Sequence, residues 1–175
     1  MTNTDVEEQG MLVAEGCVKP EWIDVNGHMN VAYYVLAFDS GVDLLWTRAG
    51  IDDQYIKTRN LSTFAVEAHI TYQQELCDGD AYRVTTQILA LDSKRLHQFQ
   101  RLYNAETGAL AATAEWLNLH IDLEKRRVCP WPDDILSGFT AIAEEQSDNL
   151  IPPETGRQIK IKTPTFSLKD YLSDE

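Results

Sequence analysis

The chain has 175 residues, which is enough for one compact domain but leaves little room for a second. Its formal net charge of −13 at pH 7 argues against a protein that binds nucleic acid through many phosphate contacts. No apolar run reaches the roughly 20 residues of a membrane helix. The acidic N-terminus lacks the positive start and apolar core of a secretory signal, which predicts a cytoplasmic protein.

Three cysteines are far apart and form no C-x-x-C pair: Cys17, Cys77 and Cys129. This spacing predicts reduced thiols and neither a disulfide framework nor a metal site. We expect residues 1–10 to form a flexible leader and residues 11–146 to form the folded domain. Residues 147–175 carry several prolines and show no clear period, which predicts a C-terminal tail lying on the surface or on a partner subunit.

The first predicted elements are a strand, a polar loop and a long helix. Residues 11–20 have strand character and end at a proline. The polar stretch Asp24–Asn30 follows, and Asn30 is a suitable N-cap for a helix that runs from Val31 to Gly50. The first half of this helix is apolar nearly all round, which predicts burial at its start and exposure further along.

Four strands are predicted after the helix. Alternating residues from Thr63 onward would put one apolar set on a single face: Phe64, Val66, Ala68, Ile70 and Tyr72. A D-G-D turn at Asp78–Asp80 leads to the second strand, and residues 95–103 and 110–121 form the last two. Short turns between the strands predict an antiparallel meander. A proline-then-acid pattern predicts a short helix from Asp133 through Glu145.

This order of elements predicts an α+β hotdog fold. A long apolar helix must be covered, and a curved antiparallel sheet of about five strands wrapped around it is the economical solution. The edges of such a sheet would be free to pair with a second copy, so we expect a homodimer or a homotetramer.

Three side chains of the polar loop are the candidate catalytic residues: Asp24, His28 and Asn30. The first N–H groups of a helix lack internal partners and carry partial positive charge, so they can stabilise the oxyanion formed when a thioester is attacked. Asp24 could act as nucleophile or as general base, and His28 as a proton shuttle or as a residue that holds the loop. Asp, Asn and Gly before a helix are also ordinary turn and capping residues, so spacing alone leaves both interpretations open.

The stretch W-I-D-V-N-G-H-M-N-V-A-Y-Y (Trp22 to Tyr34) resembles the D-x-x-G-H-x-N-x-x-x-Y signature of the 4-hydroxybenzoyl-CoA thioesterase-like hotdog family. The resemblance implies an acyl-CoA thioesterase with Asp24 as its catalytic carboxylate. It also implies that the helix N-terminus polarises the thioester carbonyl and that neither metal nor cofactor is used. Many members have two consecutive Asn residues where this chain has Asn30 followed by Val31.

Coenzyme A is strongly anionic, so an acidic protein must hold it with locally concentrated cations. Two clusters are candidates for its phosphates: Lys94 with Arg95, and Arg126 with Arg127. Each cluster could equally be a solvated turn. Glu67 could reach the active site of a neighbouring subunit, although a solvated strand carboxylate is the favoured interpretation.

The run from Ala114 to Pro132 is similar to the thioesterases that accompany carnitine dehydrogenase and act on betainyl-CoA. This second resemblance implies a functional association with a carnitine dehydrogenase and an acyl group with a quaternary ammonium, which aromatic faces bind well. The aromatic residues that could supply such faces are Tyr33, Tyr34, Trp46, Trp116 and Trp131. Tyr33, Trp46 and Trp116 are the ones expected to bind the acyl group, although aromatic residues at these periods are by default core.

Two alternative functions remain at this stage. A hotdog enoyl-CoA hydratase has a related motif, but its pattern puts His five residues after Asp, whereas His28 is four residues after Asp24. A non-catalytic acyl-CoA sensor of the same fold would need a DNA-binding module, and the short acidic leader does not supply one.

Overall fold

The computed structural model describes residues 10–161, in which one six-stranded antiparallel sheet packs against helices. The elements in chain order are β1 (Met11–Cys17), α1 (Val31–Arg48), α2 (Asp53–Arg59), β2 (Leu61–Tyr72), β3 (Ala81–Leu91), β4 (Arg95–Asn104), β5 (Leu110–Asp122), β6 (Arg127–Val128) and α3 (Asp133–Glu145). The predicted α+β class is confirmed. Most of the expected leader and the last part of the expected tail lie outside the described residues.

The strands follow the order β1-β3-β4-β5-β2, and the short β6 pairs with β5. β3, β4 and β5 form the predicted meander. The expected hairpin between β2 and β3 is wrong, because β1 lies beside β3 while β2 pairs with the far side of β5. Residues 73–80 therefore form a connection that crosses the end of the sheet.

α1 begins where the sequence predicts, because the Asn30 side chain caps it by accepting the N–H of Ala32 at 3.0 Å. The helix approaches the sheet closely at Gly41, where a Cβ atom would lie only 2.7 Å from Val13 Cγ2. The expected burial of the helix start on all sides is wrong, since Val31 is 55% exposed. The sheet covers only one side of the helix.

The core consists of two clusters, one at each end of α1. The first contains Trp22 and Met29, which flank the Asp24 loop, together with Phe38 of the helix. The second joins the end of α1 to α3 through Trp46 and Phe139. Each fully buried side chain of this size contributes about 1.5–3 kcal/mol, so both ends of α1 are firmly anchored.

β2 contains a bulge between Ala65 and Glu67. Phe64 pairs with Leu119 and Glu67 with Leu117, so both lie on the outer face of the sheet, away from α1. The residues beyond Glu67 that were expected to share a face with Phe64 lie on the inner face instead. That expectation is wrong because the extra residue of a bulge switches the side to which the following residues point.

The segment 146–157, here called the C-terminal strap, crosses the outer face of the sheet. It is bonded to three strands in turn: Gln146 Oε1 accepts the N–H of Ile88 at 2.9 Å, Glu154 pairs with Arg101 at 2.7 Å, and the N–H of Gly156 donates to Glu115 at 2.8 Å. The C-terminal strap has no regular secondary structure. This part of the expected tail nevertheless packs against the domain.

Candidate active site

Asp24 lies in a tight turn just before α1. Its backbone N–H donates to the carbonyl of His28 at 3.0 Å, and its carbonyl accepts the N–H of Gly27 at 3.0 Å. Gly27 has a φ of +84°, a left-handed conformation that glycine adopts at little cost. Within this turn the Asp24 carboxylate is oriented by the N–H of Asn26, which donates to Oδ1 at 2.8 Å.

Backbone hydrogen bonds hold the loop against the core on two sides. The N–H of Asn30 donates to the carbonyl of Trp22 at 2.9 Å, and the N–H of Met29 donates to the carbonyl of Leu76 at 2.7 Å. Both Trp22 and Met29 are buried. The position of the loop is therefore fixed by the core and by the connection that follows β2.

The three predicted catalytic side chains come together in this loop. His28 Nδ1 lies 4.0 Å from Asp24 Oδ1, and Asn30 Nδ2 lies 3.5 Å from Asp24 Oδ2. The Asn30 contact is at the limit of a hydrogen bond and the His28 contact is beyond it, so neither neighbour binds the carboxylate tightly. The side chain of Asp24 is 20% exposed, which leaves it accessible to a water molecule or a substrate.

The N-terminus of α1 offers one free backbone donor beside this loop. The N–H of Ala32 is taken by the Asn30 side chain, and the N–H of Tyr33 donates to the Asn30 carbonyl at 3.0 Å. The N–H of Val31 has no hydrogen-bond partner among residues 10–161. It lies at the positive end of the helix dipole, where a developing oxyanion is stabilised.

A cavity of about 310 Å³, here called the acyl cavity, adjoins the start of α1. It is lined by His28, Met29, Val31, Tyr34, Tyr72, Gln73, Gln74 and Glu75. One wall comes from the loop and the first turn of α1, and the other comes from the end of β2 and the connection beyond it. A space of this size at the helix N-terminus suits a small acyl group.

Tyr34 joins the two walls of the acyl cavity. Its hydroxyl accepts the N–H of Leu76 at 3.0 Å and donates to the carbonyl of Gln74 at 3.5 Å. Its ring meets that of Tyr72 edge to face at 5.3 Å. Burial raises the pKa of Tyr34 above its ordinary value, so the hydroxyl stays protonated at neutral pH and remains a hydrogen-bond donor.

The three aromatic residues expected to bind the acyl group are absent from the described lining of the acyl cavity. Tyr33 stacks on Trp22 with ring centroids 5.1 Å apart. Trp46 lies about 22 Å further along α1, where it packs against Phe139 in the second core cluster. Trp116 of β5 is half-buried against the first cluster and also borders the second cavity described below. Sequence reasoning missed Tyr72 and the residues that follow it.

The predicted phosphate-binding residues lie at the opposite end of the sheet from the Asp24 loop. Lys94 and Arg95 are in the turn between β3 and β4, where Arg95 pairs with Asp92 at 2.6 Å. Arg126 comes just before β6, which begins at Arg127. The guanidinium of Arg126 lies 5.1 Å from the ring centroid of Phe64. The length of β2 separates the two ends by about 36 Å, so these cations do not meet Asp24 within one chain.

A second cavity, of about 340 Å³, lies on the outer face of the sheet beneath the C-terminal strap. Its lining is Glu67, His69, His97, Glu115, Trp116, Leu117, Gly156 and Arg157. Inside it His97 Nε2 is bonded to Glu115 at 2.8 Å. Glu67 is exposed at this outer face, on the other side of the sheet from α1.

Comparison with known proteins defines the class to which this fold and loop belong. Residues 18–139 match the model of the thioesterase-like superfamily, and the chain belongs to that superfamily. It is 34% identical over 151 residues to a betainyl-CoA thioesterase of Pseudomonas aeruginosa, a match that covers 86% of this chain and 95% of that protein. The predicted family is therefore confirmed.

A longer relative and two solved structures agree with this assignment. An L-carnitine dehydrogenase/betainyl-CoA thioesterase of a Rhizobium species is 36% identical over 140 residues, which are 80% of this chain and 28% of that protein. A candidate thioesterase of Pseudomonas putida KT2440 is similar with a TM-score of 0.78 and 34% identity, over 88% of this chain and 98% of the other. A Staphylococcus aureus protein solved with CoA has a TM-score of 0.80 and 28% identity, over 91% of this chain and 99% of the other.

These matches confirm the hotdog fold and the predicted thioester hydrolase, in preference to the hydratase and the sensor that the sequence left open. The chain is an acyl-CoA thioesterase. Within residues 10–161, no helix has the length and apolar character needed to span a membrane.

Proposed function

We propose that the chain hydrolyses a small acyl-CoA, with betainyl-CoA as its preferred substrate, to the free acid and CoA. The observation that carries this proposal is the meeting of three features: the Asp24 carboxylate, the free N–H of Val31 and the acyl cavity. The identity to a betainyl-CoA thioesterase supports the choice of acyl group. The name of the Rhizobium relative supports a functional association with a carnitine dehydrogenase.

In the proposed reaction the N–H of Val31 hydrogen-bonds to the thioester carbonyl and stabilises the negative charge that develops on its oxygen. Asp24 acts in one of two ways. As a nucleophile it attacks the carbonyl carbon, expels CoA thiolate and forms an anhydride that water then hydrolyses. As a general base it takes a proton from the water that attacks. His28, whose Nδ1 lies 4.0 Å from Asp24 Oδ1, would exchange a proton with this site through a bridging water, and the CoA thiolate takes up a proton on release.

We further propose that the active enzyme is a dimer that forms through β2. The outer edge of this strand has no partner strand among the described residues, and Val66 at its bulge is 53% exposed. An unpaired edge of 12 residues favours pairing with another chain. Antiparallel pairing would bring the Arg126 end of one copy towards the Tyr72 end of the other. This arrangement would give Arg126 and Arg127 a route to the CoA phosphates, with Lys94 and Arg95 further from the pairing edge.

The test is thiol release from three substrates: betainyl-CoA, its neutral isostere 3,3-dimethylbutyryl-CoA, and palmitoyl-CoA. We expect the highest kcat/KM with betainyl-CoA. Asp24→Asn should lower kcat by about 100-fold or more, since it keeps the shape and removes the charge of the catalytic group. Asp39→Asn, which alters an exposed carboxylate of α1, is the matched control and should stay within about threefold. Near wild-type turnover by Asp24→Asn would contradict the assigned role.

A further inference from the structure

Two tyrosine rings form a corner of the acyl cavity. Tyr34 of α1 is buried, and Tyr72 at the end of β2 is 48% exposed. The ring planes make an angle of 76°, with centroids 5.3 Å apart. Both rings line the acyl cavity, and because their planes are nearly perpendicular they border it from two directions. Such a corner suits a compact, rounded cation, which is attracted to the faces of aromatic rings.

The charge of the acyl cavity favours the same kind of group. Among the described lining residues, Glu75 is the one carboxylate, and neither lysine nor arginine is present. Glu75 lines the same cavity as Tyr34 and Tyr72. Its negative charge adds to burial, the larger effect, in raising the pKa of Tyr34. A cationic group in this corner would therefore meet a carboxylate as well as two rings.

Hydrogen bonds hold the corner in one conformation. The backbone N–H groups of Gln73 and Gln74 both donate to the carbonyl of Ala111, at 2.8 and 3.1 Å. The Tyr34 hydroxyl binds the N–H of Leu76 at 3.0 Å. The segment that carries Glu75 is thus fixed on both sides, and a ligand would not have to order it.

We propose that Tyr34, Tyr72 and Glu75 bind the quaternary ammonium group of the acyl chain. This inference rests on the proposed function and identifies the residues that select its substrate. In betainyl-CoA a single methylene separates the thioester carbonyl from the ammonium nitrogen. A carbonyl held by the N–H of Val31 therefore directs the cation into the same cavity, which Val31 and the aromatic corner both line.

The test compares kcat/KM for betainyl-CoA and for 3,3-dimethylbutyryl-CoA, which have the same shape and differ in charge. Glu75→Gln and Tyr72→Leu should each reduce the ratio of kcat/KM for betainyl-CoA to kcat/KM for the neutral substrate by about tenfold, which corresponds to roughly 1.4 kcal/mol. Both variants should lose more kcat/KM with betainyl-CoA than with the neutral substrate, so the deciding quantity is the ratio and not the absolute rate. Tyr72→Phe keeps the ring and should keep the ratio. Glu144→Gln, an exposed change on α3, serves as the charge control.

Inhibition by free glycine betaine gives a second measurement, made during hydrolysis of the neutral substrate. Glu75→Gln should weaken this inhibition about tenfold, whereas inhibition by 3,3-dimethylbutyrate should not change. If Tyr72→Leu does not fold, Glu75→Gln decides the matter, because Glu75 is exposed and its substitution does not disturb the core.

The outcomes separate this inference from the function on which it rests. If the wild type prefers betainyl-CoA and both variants keep that preference, the proposed role of the aromatic corner is wrong and the substrate proposal still holds. A wild-type enzyme that hydrolyses both substrates equally well would overturn the substrate proposal and the corner together. A loss of activity in Glu75→Gln that is equal for the two substrates would also overturn the corner.

Discussion

The hydroxyl of Tyr34 accepts the N–H of Leu76 at 3.0 Å, and this bond joins the first turn of α1 to the connection between β2 and β3. The carbonyl of Leu76 in turn accepts the N–H of Met29 at 2.7 Å. One residue of the connection therefore holds both the helix and the Asp24 loop in place. We therefore propose that Tyr34 positions the Asp24 carboxylate through Leu76, in addition to its proposed place in the aromatic corner.

Tyr34→Phe should lower kcat about tenfold, because small displacements of catalytic groups reduce rates steeply. The ring remains, so the ratio between betainyl-CoA and its neutral isostere should change little. Steady-state kinetics with each substrate will measure both quantities.

The matched control for this variant is Tyr55→Phe, which removes a buried hydroxyl that is bonded to His120 Nε2 at 2.8 Å in the second cluster. Both changes should lower the free energy of unfolding by about 1–3 kcal/mol. Only Tyr34→Phe should lower kcat. A tenfold fall in both variants would show that kcat follows stability, and the positioning role would be wrong.

Val66→Lys should convert the proposed dimer to a monomer, because lysine on an edge strand opposes pairing with another strand. Sedimentation velocity at micromolar concentration will report the change, and activity should fall with it. Leu150→Lys replaces an even more exposed apolar residue, which lies in the C-terminal strap, and should leave the assembly intact. A wild-type protein that is monomeric and fully active would contradict the dimer.

His120 makes the stability of the fold sensitive to mild acid. Its side chain is fully buried, with Nδ1 donating to the carbonyl of Pro130 at 2.9 Å and Nε2 accepting from the Tyr55 hydroxyl at 2.8 Å. This arrangement uses the neutral imidazole. Burial lowers the pKa of His120 below its ordinary value of about 6.5, so the unfolded chain binds a proton at a pH where the folded chain does not.

The contribution of His120 is therefore complete above about pH 6.5 and is lost as the pH falls through the lowered pKa of the folded state. Chemical denaturation at a series of pH values should show a loss approaching 1.4 kcal/mol per pH unit from this one proton. His120→Gln should be less stable at pH 8 but should show a flatter pH dependence. If the free energies of unfolding of the two proteins change in parallel between pH 5 and 7, His120 is not the cause of the loss of stability in acid.

Glu154→Gln tests the C-terminal strap. Its partner, the side chain of Arg101, is 7% exposed, so removing the carboxylate charge leaves a buried guanidinium poorly compensated. We expect a loss of about 1–3 kcal/mol in urea unfolding, with kcat unchanged. Asp53→Asn breaks an exposed pair with Lys57 and should cost less than about 0.5 kcal/mol. Similar losses for the two variants would mean that the strap contributes little.

Features determined by neighbouring residues could be predicted from the sequence. Asn30 caps α1, and α3 runs from Asp133 to Glu145, because capping and the first helical turn depend on residues a few positions apart. The pairing of β2 could not be predicted in this way. Alternation reveals a strand and its two faces but not its partner, and the turn at Asp78–Asp80 is compatible with either a hairpin or a crossing connection.

The same distinction applies to the site. The Asp24 loop is contiguous in the chain, so its residues could be identified together before the fold was known. Tyr72 and Glu75 reach the acyl cavity only because residues 73–80 cross the end of the sheet. Trp46 has the right chemistry for a cation, but it lies four helical turns from the loop. Aromatic content alone does not indicate which ring meets the substrate.

The C-terminal strap contacts β3, β4 and β5, and we expect it to dock late in folding because it needs all three strands. It cannot dock until the three strands are in register, so its bonds are expected to be absent from the transition state and φ-values along it should be near zero. Substitutions in the strap should then speed unfolding and leave the refolding rate unchanged. The lifetime of the folded enzyme would in that case depend on a segment that lies on the opposite face of the sheet from α1.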